Sequence, residues 1–175
     1  FANMASLDYL SHHASPKTPL TWEVLDLASG PSTLFRAYEI KLKDLNAQGL
    51  FLRITDYDMS PGMLMLGAPR PGGQVVGTLD QVGQAFPKES FDLINLSYAF
   101  RYAPNPGQLL ADIYSLLRQD GRFVLILPKT NLIPKRFFTT LQEAGFDLEV
   151  GEGGTLVSQL DRETFYRLVR EYGRE

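Results

Sequence analysis

Short apolar runs alternate along this chain with stretches in which apolar residues recur at helical spacing. One apolar run with β-branched and aromatic members, Trp22 to Leu27, ends in small residues, and a second, Leu50 to Thr55, follows a helical stripe. Apolar runs of this length and composition predict β-strands. Further strands are predicted at Gln74 to Leu79, Phe91 to Ser97, Arg122 to Leu127, Phe146 to Val150 and Thr155 to Gln159.

The stretches between the strands predict amphipathic helices with recognisable ends. A stripe from Leu34 to Leu45 is stopped by Asn46 to Gly49. Another helix begins with Asn105 as its cap and Pro106 in its first turn, and we expect it to end at Gly121. Further helices are predicted for residues 1 to 13, for a short segment from Ser60, for Pro134 to Ala144 and from Asp161 onward.

Strands and helices that alternate and close with a glycine-rich hairpin turn, Gly151 to Gly154, predict an open α/β sheet with helices on both faces. The 175 residues are one domain's worth of chain, with residues 1–20 as an N-terminal helix and linker and residues 21–175 as the core. The apolar runs are far too short to span a bilayer, and no signal or transit peptide is visible. The expected location is therefore the cytoplasm.

Charge and cysteine content narrow the possible functions. The net charge of −3 provides no global attraction to a phosphate backbone, so a nucleic acid would need a local basic patch. The absence of cysteine excludes disulfides, zinc sites built on thiolates, iron–sulfur radical enzymes and attack on a pyrimidine carbon by a cysteine. We predict no metal site.

The first strand and the turn after it carry the main chemical signal. The strand ends in Ala28, Ser29 and Gly30, and Pro31 and Ser32 lead into a helix. Small residues let a ligand approach the backbone, and unpaired amides at a helix start attract a carboxylate or phosphate. The second strand delivers carboxylates to the same sheet edge, where an acid can accept hydrogen bonds from a ribose diol.

At these residues the chain resembles the class I S-adenosylmethionine-dependent methyltransferases. Residues Val24 to Ser32 are similar to the family's strand ending in Asp-x-Gly-x-Gly-x-Gly, although only the middle glycine, Gly30, is present and Ala28 and Ser32 replace the outer two. Residues Asp58 to Leu64 resemble its Asp-x-Ser-x-x-Met-Leu. Later segments that resemble the family are Phe86 to Ile94, Ser97 to Tyr102, Leu110 to Leu117 and Asp120 to Val124.

The resemblance implies a Rossmann-like, seven-stranded, mostly parallel sheet with helices on both faces and an antiparallel C-terminal hairpin strand. It also implies S-adenosyl-L-methionine as the cofactor. Asp26, Ala28, Ser29 and Gly30 would border the methionine half of this cofactor. By the same resemblance, Asp58 would contact its ribose hydroxyls, Asp80 with Leu79 or Gln81 its adenine, and Asn95 to Tyr98 would lie under the methyl group. Met59 would also belong to the cofactor site.

Simpler roles remain open for the acidic residues. Asp26 can be a strand-end carboxylate that caps the following turn, but an acid inside an apolar strand needs a partner, which favours the cofactor role. Between the two acids that end the second strand, the sequence context favours Asp58, and we interpret Asp56 as a solvated residue or a local cap. The assignment of Asp80 depends on its spacing from Phe86.

Candidates for contact with the methyl acceptor are Tyr98, Arg101 and Tyr102, which follow the predicted fourth strand, although an aromatic residue at a helix start can serve packing alone. His12 and His13 are candidates for a general base or a substrate contact, with surface histidines as the alternative. Three basic residues after the fifth strand either steer an acidic acceptor or are simply solvated: Lys129, Lys135 and Arg136.

The sequence therefore predicts a methyltransferase that acts on an unidentified small molecule. An RNA methyltransferase and a non-catalytic scaffold or partner subunit remain as alternatives, and a nucleic acid partner is possible but not favoured. A nicotinamide-dependent dehydrogenase should show Gly-x-Gly-x-x-Gly, which this chain lacks. We expect no membrane partner, and the pattern does not indicate an oligomeric state.

Overall fold

The computed structural model describes residues 20–47, 49–67, 70–128, 149–150 and 155–160. Within these ranges, two short 3₁₀ turns, Leu79–Gln81 and Phe100–Tyr102, lie between a strand and the next helix. The described strands are β1 (Leu20–Leu27), β2 (Leu50–Asp58), β3 (Gln74–Val76), β4 (Phe91–Ser97), β5 (Leu117–Pro128), β6 (Glu149–Val150) and β7 (Thr155–Leu160). The described helices are α1 (Thr33–Ala47), α2 (Pro61–Met65), α3 (Val82–Ala85) and α4 (Pro106–Leu116).

The described strands form one sheet in the order β3-β2-β1-β4-β5-β7-β6. Neighbours from β3 to β5 pair in parallel, whereas β7 pairs antiparallel with both β5 and β6. The predicted α/β class, the mostly parallel sheet and the antiparallel strand near the C-terminus are thus confirmed. The predicted helices at 1–13, 134–144 and from 161 onward lie outside the described residues.

Two apolar clusters cover the two faces of the sheet. Along β1, Val24 belongs to the cluster under α1, whereas Leu25 and Leu27 belong to the cluster under α3 and α4. In β5, Phe123 and Val124 alternate in the same way, because successive side chains of a strand point to opposite faces. Helices therefore pack on both faces, as the sequence predicts.

Some element boundaries differ from the prediction. Helix α4 ends at Leu116 rather than at Gly121, and β5 begins earlier than predicted, at Leu117. Leu117 is buried in the core as its apolar spacing predicts, but its backbone is extended and pairs with Phe91. The register then shifts before Leu93 pairs with Arg122, so the intervening residues of β5 form an irregularity that periodicity does not reveal.

Strand β3 is also shorter than predicted. It ends at Val76, and Thr78 then begins a 3₁₀ turn in which its amide donates to Oε1 of Gln81 at 3.4 Å. Strand β2 is longer than predicted and reaches Asp58, which brings both of its acidic residues into the regular sheet. The sheet order places β1 between β2 and β4, and the crevice between diverging neighbours at the carboxyl ends of such strands is where open α/β sheets bind ligands.

Candidate functional site

A row of polar side chains crosses the carboxyl ends of three adjacent strands. Asp26 on β1 is the register partner of Asp56 on β2 and of Asn95 on β4. All three side chains are buried. They continue the sheet face that is apolar under α1, since Val24, two residues before Asp26, packs in that cluster.

Asp26 makes one side-chain hydrogen bond and leaves one oxygen without any. The Nδ2 atom of Asn95 donates to its Oδ1 at 2.6 Å, whereas Oδ2 has no hydrogen-bond partner in the described part of the chain. Burial is the main reason that the pKa of Asp26 rises from 3.8 to about 7; the charges of Asp56 and Asp58 raise it further, and hydrogen bonds from Asn95 and the backbone of Leu34 oppose the rise. Asn95 is therefore the side-chain partner of one oxygen of this acid, and the other oxygen has none among the described residues.

The turn after β1 is held in an unusual backbone conformation. Ala28, Gly30 and Ser32 have φ angles of 51°, 55° and 62°, in the left-handed region that glycine adopts more readily than other residues. The amide of Ser29 donates to the carbonyl of Tyr57 at 3.2 Å, while its buried Oγ has no partner among the described residues. A Cβ on Gly30 would have no atom of the described residues within 4 Å, so this part of the chain leaves the space beside Gly30 open.

Asp58 ties this turn to the end of β2. Its Oδ2 accepts from the amide of Gly30 at 2.9 Å, and its Oδ1 accepts from the amide of Ser60 at 2.8 Å. A carboxylate has about four lone-pair positions, so two remain for a ligand. Asp58 is 9% exposed and thus more accessible than Asp26 or Asp56.

Asp56 corrects the interpretation from the sequence. It is neither solvated nor a local cap: it is fully buried, and its Oδ2 accepts from the Nε of Arg70 at 2.9 Å and from the Oγ of Ser32 at 2.5 Å. Two signals could have suggested this arrangement. Asp56 and Asp58 are two residues apart and so lie on the same face of the strand, and Arg70 is the only basic residue in the sequence between Arg53 and Lys88.

Aromatic and basic side chains follow β4 at the same edge of the sheet. Tyr98 has a φ of 61°, and its amide donates to the carbonyl of Ile126 at 2.7 Å. The guanidinium of Arg101 lies over the ring of Tyr102, 4.7 Å from the ring centroid, and donates to its hydroxyl at 2.6 Å. All three side chains are exposed, so the segment offers aromatic surface and a positive charge.

The remaining predicted site residues either follow β2 and β3 or lie outside the described residues. Met59 is 70% exposed directly after Asp58, and Asp80 is exposed in the 3₁₀ turn after β3. Burial of the phenol raises the pKa of Tyr57, and the charge of the nearby Asp80 raises it further. His12 and the basic residues Lys129, Lys135 and Arg136 lie outside the described residues.

Nowhere in the described ranges do three or more His, Asp or Glu side chains gather so that they could hold a metal ion. Among the same residues, no helix combines the length and the apolar character needed to cross a lipid bilayer.

The family model described as "Methyltransferase domain" matches residues 25–125, which include the turn, the polar row and the segment after β4. The chain belongs to this methyltransferase family. The resemblance to class I S-adenosylmethionine-dependent methyltransferases is thereby confirmed, and S-adenosylmethionine is the cofactor of the family.

Curated relatives are similar over the same region. The ubiquinone/menaquinone biosynthesis C-methyltransferase UbiE of Methylobacterium nodulans is 29% identical over 63% of this chain and 44% of its own length. The demethylmenaquinone methyltransferase of Deinococcus radiodurans is 29% identical over 70% of this chain and 46% of its own length. The chain thus spans less than half the length of these relatives.

Solved structures show the same fold. A TehB-like SAM-dependent methyltransferase from Corynebacterium glutamicum superposes with a TM-score of 0.57 at 18% identity, covering 92% of this chain and 87% of its own.

Proposed function

We propose that this chain binds S-adenosylmethionine in the crevice bordered by Asp26, Gly30 and Asp58 and transfers its methyl group to a small molecule. The observation that carries the proposal is a pair of buried polar atoms without partners in the described chain, Asp26 Oδ2 and Ser29 Oγ. Both belong to the strand and turn that border the open space at Gly30. A cationic amino acid group supplies the donors that such acceptors need, so these residues fit the methionine half of the cofactor.

The opposite rim fits a nucleoside. Asp58 is held by two backbone amides and retains acceptor positions for the two hydroxyls of a ribose. Met59 offers an exposed apolar side chain for the adenine ring, and Asp80 lies on the next connection along this edge. Ala28, Ser29 and Gly30 would let the cofactor approach the backbone, and Asn95 would border the methyl group from β4.

The acceptor side of the crevice would be the segment after β4. The cofactor supplies a methyl group on a positively charged sulfur, so the protein mainly has to align the acceptor and exclude water. Tyr98 and Tyr102 offer faces for an aromatic ring, and the charge of Arg101 would stabilise a phenolate or enolate next to the attacking carbon. Because the curated relatives are named for methyl transfer to quinone precursors, we propose an electron-rich aromatic ring as the acceptor.

Methyl transfer from labelled S-adenosylmethionine tests this proposal. The full chain is incubated with a short-chain naphthoquinol, with other phenols or with RNA, and the label is followed into each product. We expect label in the small aromatic acceptor, and we expect Arg101→Ala to lower turnover at saturating cofactor while Arg53→Ala, a matched exposed arginine on β2, does not. Label in RNA alone would contradict the proposed acceptor class.

A further inference from the structure

A buried ion pair lies directly beside the polar row. The side chains of Arg70 and Asp56 are 1% and 0% exposed, and they are joined by the 2.9 Å contact from Nε to Oδ2. The remaining atoms Nη1 of Arg70 and Oδ1 of Asp56 have no hydrogen-bond partner within the described residues. Burying two charges is costly, so an arrangement that is only partly satisfied by hydrogen bonds calls for a reason other than stability.

The surroundings are shaped to admit this arginine. The guanidinium carbon lies 4.0 Å from the ring centroid of Phe35 on α1, which gives the charge an aromatic face. Gly67 leaves room for the arginine, since a Cβ on it would lie 2.5 Å from Nη2 of Arg70 and 2.7 Å from Oγ of Ser32. Ser32 in turn donates to Asp56, so the pair contacts the turn that borders the cofactor crevice.

The position of Asp56 makes its charge relevant to the cofactor. Asp56 and Asp26 are register partners on neighbouring strands, which lie about 5 Å apart in a sheet. Within the described residues, the charges that act on Asp26 are those of Asp56 and Asp58 on β2, while β4 contributes the neutral Asn95 and α1 the backbone of Leu34. Three carboxylates thus share this edge of the sheet, and Arg70 directly compensates one of them.

We propose that Arg70 is a positioning residue for cofactor binding: it offsets part of the charge of Asp56 inside the fold, so that the carboxylate beside Asp26 and Asp58 is partly compensated. The inference rests on the proposed cofactor site. Without the arginine, Asp26 would be harder to ionise, and a ligand that carries an α-ammonium group would bind well only at higher pH.

Calorimetric titration with S-adenosylhomocysteine, which carries that ammonium group, tests the inference between about pH 6 and about pH 8.5. Arg70→Met is expected to weaken binding about tenfold or more near neutral pH, with recovery as the pH rises, since one pKa unit corresponds to tenfold. Arg70→Lys keeps the charge and should stay within about threefold of the wild type. The double variant Asp56→Asn/Arg70→Met removes both charges, keeps an acceptor for Ser32, and should also stay within about threefold.

These outcomes separate charge balance from a purely structural role. If the double variant is folded by circular dichroism but loses as much affinity as Arg70→Met, the arginine acts through its contacts and the inference is wrong. An Arg70→Met protein with the pH dependence of the wild type also overturns it. If Arg70→Met does not fold, the folded double variant decides: wild-type affinity supports the inference, and lost affinity refutes it. Absence of binding by the wild type would instead refute the proposed function itself, and the inference with it.

Discussion

Replacing Asp26 with asparagine should remove a pH-dependent cost to the stability of the fold. Burial raises the pKa of this carboxyl from 3.8 to about 7, so between these values the folded chain holds a proton that the unfolded chain has released. The free energy of unfolding must therefore fall as the pH rises through this window. A difference of about three pKa units, at about 1.4 kcal/mol each, amounts to about 4 kcal/mol above the window.

Urea denaturation of the wild type and Asp26→Asn at about pH 4 and about pH 8 measures this cost, because the comparison cancels groups common to both proteins. We expect the wild type to lose about 4 kcal/mol relative to the variant across this range. The variant should also bind S-adenosylhomocysteine more weakly, since it gains stability by losing the carboxylate that would bind this molecule. A stability difference that is the same at both pH values would refute the reasoning.

Two further substitutions test the packing and the helix start. Gly67→Ala should lower the free energy of unfolding by about 1–3 kcal/mol, because the new Cβ would lie 2.5 Å from Arg70 Nη2. In the matched control Gly62→Ala, the nearest atom to the new Cβ lies 3.8 Å away. Equal stabilities of the two variants in urea would contradict this prediction. Asn105→Ala removes the oxygen that accepts from the amide of Gln108 at 3.0 Å, and thermal unfolding should show a loss of about 1 kcal/mol; an unchanged midpoint would show that this cap does not contribute.

The parts of the site that could be predicted from the sequence are those encoded by neighbouring residues. The turn at Gly30 follows its strand within a few positions, and the helix cap at Asn105 depends on an amide three residues away. The need of Asp26 for a partner follows from its apolar neighbours alone, although the partner, Asn95, lies on a different strand. Local pattern is thus sufficient to place this turn and to mark the buried acid before it.

The sequence marks Asp56 and Arg70 as candidates for an ion pair, but its local pattern does not specify that they meet. Arg70 lies 14 residues from Asp56 in the sequence, after a stretch rich in glycine and proline that has no periodicity to orient it. The hydroxyl of Ser32 reaches Asp56 because the turn adopts a left-handed conformation at that residue. The early end of α4 has a similar cause: Leu117 is buried in either conformation, so its apolar character does not distinguish a helix from a strand.

Calorimetric titration of S-adenosylhomocysteine into the wild type and Asp58→Ala tests the central claim most directly. Asp92→Ala is the matched control, because this carboxylate also accepts a hydrogen bond from a backbone amide. It lies at the amino end of β4, away from the carboxyl ends of the strands where the cofactor is proposed to bind. We predict one saturable site in the wild type and the control, and at least about tenfold weaker binding in Asp58→Ala, since hydrogen bonds to a charged acceptor contribute about 1.5–3 kcal/mol. No binding by the wild type, or equal affinity in all three proteins, would contradict a nucleoside site beside Gly30 and Asp58.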